Sequence, residues 1–298
     1  MTRNIIFTVF FNLFFGNTYS QNGFKISYPE TQTPSSMFFI ELDYLNYSWP
    51  LNNTDLLKSK KMIIKSVDFD FSEEADIRRT VYYNQYGKIE KEITPNPYDV
   101  SSNDTSYYYY DDLKRINSIS TIGKLYSRQV DYKYSRHKII CSESSYSNSD
   151  TLLTITNYNY DKKKWLVSTE TSTSGNCLLS LINYSENSIR EQRFLNCEKS
   201  GPFSYTVYTM LSAEKGLYVY FFPNGAPIVT SVEYDNLGKI DTIYYINNDG
   251  STKLYKFQYQ DNALLRKISI YKTEYMNLDS RNSNVELEKE IYFEYLNN

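Results

Sequence analysis

The sequence predicts an all-β fold: an elongated antiparallel meander of hairpins repeating every ~25 residues behind an N-terminal capping segment. Three observations predict it. A tyrosine followed by a polar turn and then an aliphatic residue recurs along the chain. A second set of turn signals falls about half a period away. Helical spacing is almost absent.

The anchor tyrosines are Tyr83, Tyr110, Tyr134, Tyr160, Tyr184, Tyr234 and Tyr259, and a degenerate copy is expected near Tyr208. After each anchor come turn formers, such as Asn84-Gln85-Tyr86-Gly87 or Asp111-Asp112-Leu113. The chain then turns aliphatic again at Ile89, Ile116, Ile139, Leu166, Ile189, Ile240 and Leu264. Asp or Asn leading to Gly three positions later suits a type I turn closed by a left-handed residue. Only Gly87 and Gly238 supply that glycine, so other residues must take the left-handed position elsewhere.

Between the anchors lie Pro95-Asn96-Pro97, Ser147-Asn148-Ser149-Asp150, Ser174-Gly175-Asn176, Lys199-Ser200-Gly201-Pro202 and Asn247-Asn248-Asp249-Gly250. Turns at this spacing, separated by runs of Tyr, Ile, Val and Thr, mark an antiparallel meander. Only Thr54 to Lys61 fits a helical turn or two. Residues 61–298 form the repeat array, and 21–60, with Met37-Phe38-Phe39-Ile40 and Trp49-Pro50, form the cap. The last alternating segment, Ile291 to Tyr295, is expected at a sheet edge, its acidic residues blunting edge-to-edge pairing.

Residues 1–20 read as a signal peptide: Arg3, the apolar run Ile5–Phe15, then small Thr18 and Ser20 before Gln21. The run is too short to span a bilayer as a helix, and no later stretch is long and apolar enough. The mature chain is therefore expected to be soluble and exported, to the periplasm, cell surface or medium. Lys plus Arg number 32 against 35 Asp plus Glu, so no strong field points to nucleic acid.

Chemistry is sparsely encoded. The one histidine, His137, lies in a turn between two cations and makes a poor general base. No nucleophile elbow, phosphate loop or metal-type His/Cys cluster is present, so no cofactor and no catalytic residue is assigned. Asp68 and Asp70 share one strand face in the acidic stretch Asp68–Asp76. They are weak calcium candidates against the alternative of a solvated face opposite Phe69 and Phe71. Cys177 and Cys197 lie almost symmetrically about the turn at 185–188. They could bridge in an oxidising compartment, or be two small buried residues out of register.

The 32 tyrosines favour a sheet and also supply rings for recognition. In Tyr107-Tyr108-Tyr109-Tyr110, alternation puts two rings on each face, which makes this run the candidate binding site for a glycan or an envelope or extracellular protein. The leading expectation is a non-enzymatic binding or structural module acting through a Tyr-rich sheet face. The alternatives are a carbohydrate-active hydrolase, which needs two carboxylates at a set separation, and a toxin-neutralising partner protein.

The pattern Tyr234-Asp235-Asn236-Leu237-Gly238-Lys239-Ile240 resembles the tyrosine–aspartate, or RHS-like, repeat, and Tyr83 to Ile89 matches with Asn84 for the Asp. Phe221-Phe222-Pro223-Asn224-Gly225 is similar to the core of MORN-type repeats. The resemblance implies short β-hairpin units in a β-repeat protein. With the signal peptide, it also looks like small exported proteins of the Bacteroidota.

Overall fold

The computed structural model describes residues 37–42 and 45–50, and 61–296 apart from 70–73, 97–98, 125, 148–150, 163–165, 186–187, 199–200, 213–214, 222–226, 237–239, 247–251, 262–263 and 274–285. The signal peptide, the rest of the cap, the proposed helical turn before Lys61 and Asp70 lie outside these residues.

Among the described residues there are twenty strands. Met37–Leu42 (β1) and Leu45–Pro50 (β2) pair with each other. The rest run Lys61–Asp68 (β3), Asp76–Tyr83 (β4), Ile89–Asn96 (β5), Asp99–Tyr110 (β6), Ile116–Ile122 (β7) and Tyr126–Tyr134 (β8). Then come Lys138–Ser147 (β9), Thr151–Tyr160 (β10), Leu166–Thr173 (β11), Asn176–Tyr184 (β12), Ser188–Leu195 (β13) and Ser204–Ser212 (β14). The last are Lys215–Phe221 (β15), Ile228–Tyr234 (β16), Ile240–Ile246 (β17), Thr252–Tyr259 (β18), Leu265–Thr273 (β19) and Glu286–Leu296 (β20). From β3 onward each strand pairs antiparallel with the next, which is the hairpin meander the turn spacing predicts.

The meander does not end in free edges. β20 pairs with β3 from Lys289↔Asp68 to Leu296↔Lys61, closing β3–β20 into a barrel. This corrects the expectation of an edge at Ile291–Tyr295. The acidic residue there meets a lysine across the closing seam: Glu294 accepts from Lys65 Nζ at 2.7 Å. Closure removes the exposed backbone groups that an open array would leave at each end.

The anchor tyrosines end β4, β6, β8, β10, β12, β16 and β18, and each pairs directly with the aliphatic residue that reopens the chain. Five copies set that pair six residues apart: Tyr83↔Ile89, Tyr110↔Ile116, Tyr160↔Leu166, Tyr234↔Ile240 and Tyr259↔Leu265. All five have a register shift at the tyrosine. The two copies spaced by five, Tyr134↔Ile139 and Tyr184↔Ile189, have none. One extra residue would otherwise turn the aliphatic side chain to the outer face, and the bulge absorbs it. The same rule makes Leu265, not Leu264, the partner in the last copy.

Turn chemistry follows the sequence. Gly87 N–H donates to the Asn84 carbonyl at 2.9 Å and has φ +68°. In the next copy Lys114 takes that left-handed position, φ +60°, donating to the Asp111 carbonyl at 2.8 Å. Asp111 repays the strain by accepting from Arg115, at its backbone N–H (2.8 Å) and at Nε (2.7 Å).

The enclosed face carries the core. Met62, Ile64, Val81, Tyr83, Ile89, Leu166, Val232, Ile240, Tyr255, Ile268 and Phe293 are buried there, and a second cluster gathers Ile116, Ile119, Val130, Tyr132, Ile139 and Cys141. Toward the strand ends away from the anchors, the same face turns polar, with Thr121, Thr154, Ser180, Arg193 and Ser204 buried in its wall. The outward face is mixed: Lys65, Asp131, Lys133, Lys256, Lys267 and Glu294 point out by alternation, and so do Ile122, Leu153, Ile155, Leu179, Val207 and Val219.

Candidate functional site

The tyrosine run Tyr107–Tyr110 lies on β6 and is divided between the two faces of the wall. Tyr108 and Tyr110 point inward. Tyr108 Oη donates to Glu92 Oε2 at 2.8 Å, and Glu92 Oε1 is held by Arg79 at 2.9 Å. Burial, then the Glu92 charge, keeps the Tyr108 phenol protonated far above its usual range. Tyr110 Oη donates to the Ile89 carbonyl at 2.6 Å. These two rings belong to the barrel interior and present nothing to an outside partner.

Tyr107 and Tyr109 point outward and are 36% and 52% exposed. Register places Tyr107 in a row across four strands: Lys61↔Tyr82, Tyr82↔Lys91 and Lys91↔Tyr107. The Lys61 ammonium stands 5.4 Å from the Tyr82 ring centroid. The Lys91 ammonium lies 5.8 Å from Tyr82 and 5.7 Å from Tyr107, between the two rings. Each is close enough for a cation–π attraction, worth about 0.5–1 kcal/mol at an exposed site. Lys61, Tyr82 and Lys91 were not singled out by the sequence. A signal existed in the anchors, which set the register of β4 and β6, but joining β3 to β6 requires the bulge at Tyr83 as well.

The other candidates fare differently. Asp68 ends β3 opposite Lys289, and Asp70 lies outside the described residues, so the two are not seen together. Among the described residues one grouping offers metal-type ligands, Glu170 with Cys177 and Cys197. There the two cysteines are joined as a disulfide, Cα–Cα 5.3 Å, and a disulfide has no thiolate to give a metal. His137 sits in the turn after β8, its Nδ1 3.2 Å from the Asp161 carbonyl of the turn after β10. It ties two repeats together.

Inside the barrel the carboxylates are committed. Glu143 binds Arg128 through both oxygens at 2.8 and 2.9 Å, and Glu191 binds Arg193 likewise at 3.1 and 3.0 Å. With Glu92 on Arg79, three interior carboxylates are each neutralised by an arginine. All six of their oxygens already have a protein partner.

No protein-family model matches the chain, and no curated protein matches it. The likeness to tyrosine–aspartate repeats therefore rests on the residues quoted above. The solved structures it resembles include porin-like proteins. One is a porin-like protein from Bacteroides uniformis ATCC 8492, 9% identical, TM-score 0.45, covering 80% of this chain and 96% of that one. Another is a porin-like protein from Bacteroides vulgatus ATCC 8482, 12% identical, TM-score 0.29, covering 80% and 98%. Likeness at this level carries no functional argument.

Proposed function

We propose that the chain is a non-enzymatic barrel of the cell envelope or exterior whose outer wall works in water, as a binding or structural module. The observation that carries this reading is the set of charged pairs on the outward face, across the wall from the aliphatic cluster beside the anchor tyrosines. Val81 and Ile268 are fully buried inside, while the Lys65–Glu294 and Lys267–Glu290 pairs stand on the outside. The arginine-bound interior carboxylates favour binding over hydrolysis. The exposed Tyr107 and Tyr109 give the outer wall its recognition surface.

A lipid-spanning pore is the second reading, and the ring of eighteen strands favours it, since porins close with sixteen to eighteen. No helix among the described residues is long and apolar enough to cross a membrane, a statement that leaves strands untouched. A spanning barrel alternates apolar outside with polar inside, and a Lys or Arg on its lipid face costs about 2–4 kcal/mol at mid-bilayer. This wall carries Lys65, Lys133, Lys256 and Lys267 on its outward face, beside the outward Ile122, Leu153, Ile155 and Leu179.

Two measurements test the proposal. In detergent phase separation the protein is expected in the aqueous phase, and in planar bilayers it is expected to add no conductance. Recovery in the detergent phase with stepwise conductance would reverse the reading in favour of the pore.

A further inference from the structure

We infer that the outward row Lys61–Tyr82–Lys91–Tyr107 is a binding site for an anionic polysaccharide, one carrying carboxylates on a chain of pyranose rings. The inference rests on the outer wall facing water. Its evidence is the row itself. Two rings two strands apart stand about 10 Å from each other, twice the inter-strand spacing and close to the length of a disaccharide. Between them the Lys91 ammonium is held by both rings. Lys61 stands on the far side of Tyr82.

Charge complementarity identifies the occupant. Neither Lys61 nor Lys91 is ion-paired to a carboxylate of the described residues, whereas the nearby Lys65 is already bound to Glu294 at 2.7 Å. The row therefore offers two uncommitted cations set among flat apolar faces. A neutral glycan would use the rings and leave the ammoniums idle. An acidic peptide would use the ammoniums with no need for rings at sugar spacing. A polyuronate uses both at once: ring faces pack on the tyrosines while the carboxylates meet the lysines. Tyr109, two residues on, extends the platform along β6.

Affinity electrophoresis of the full chain in gels containing polygalacturonate tests this, with dextran and poly-L-glutamate in parallel gels. Polygalacturonate is expected to retard the protein and dextran to leave it unaffected. Lys91→Gln and Tyr107→Ala should each weaken the retardation about tenfold, equivalent to 1.4 kcal/mol. Both sites face out, and a thermal melt matching the parent shows that the barrel is intact. No retardation by polygalacturonate overturns the inference. So does equal retardation by poly-L-glutamate with Tyr107→Ala silent, an outcome that assigns the row to an acidic protein partner. Partition of the parent protein into detergent is a separate failure, that of the water-facing wall itself.

Discussion

Tyr259 Oη donates a 2.8 Å hydrogen bond to the backbone carbonyl of Ile240, the residue that reopened the chain one repeat earlier. The bond recurs as Tyr134 to Ile116 (2.7 Å), Tyr184 to Leu166 (2.7 Å) and Tyr295 to Leu265 (3.0 Å). Where this bond forms, the tyrosine ties its hairpin to the one before it. Tyr259→Phe should cost about 1 kcal/mol for the lost bond, and Tyr259→Ala about 3–5 kcal/mol with the ring. Tyr109→Phe, on the outside, should fall within about 0.5 kcal/mol of the parent. Urea denaturation of the three variants checks the ranking.

Alkali should unfold the barrel. Burial raises the phenols of Tyr110, Tyr160, Tyr184, Tyr259 and Tyr295 above their usual range. The unfolded chain releases these protons near pH 10, while the folded one retains them. The stabilisation is therefore complete below about pH 10 and is lost as pH climbs through the raised folded values. Denaturation midpoints measured from pH 8 upward should fall steeply beyond about pH 10, as tyrosinate absorbance grows. A flat profile would contradict the buried ladder.

Arg193 and Glu191 are 3% and 5% exposed and bind each other through two hydrogen bonds. Removing one partner strands a charge in the wall, so Arg193→Ala or Glu191→Ala should each cost about 3–5 kcal/mol. Replacing both together, as Arg193→Met with Glu191→Leu, should cost less than either alone. A double-mutant cycle in guanidinium reads this coupling directly.

The cysteines give a fourth handle on the fold. Burial pushes the Cys141 thiol up to about 11. It should ignore a thiol reagent at pH 8 in the native barrel and react at once in denaturant. The Cys177–Cys197 disulfide spans 20 residues. Replacing both cysteines with Ser should cost about 3 kcal/mol, as loops of that order do.

Much of this architecture is written locally in the chain. The spacing of Tyr83, Tyr110 and Tyr134 specifies hairpins, and the Asn84 and Asp111 turns specify how each one closes. Alternation alone divides Tyr107–Tyr110 into two rings per face. It does not say which pair faces out, because that depends on the phase set by the bulge at Tyr110. Closure was illegible for a different reason. Glu294 reads the same in the sequence whether it guards an edge or meets Lys65, and that partner lies 229 residues away. The Lys61–Tyr107 row is hidden likewise, since it exists only once three registers are fixed together.

Lys65 and Glu294 meet across 229 residues of chain. That single seam means the wall has no stable half. A chain emerging N-terminus first, from a ribosome or through an export channel, exposes β3 as a sticky edge throughout its passage. Only when Leu296 arrives can that edge be covered. Loop-closure entropy makes such a distant pairing slow, and an uncovered edge invites other chains to add to it. The barrel therefore closes only once its last strand is available, and until then its waiting first strand is where a chaperone would have to hold.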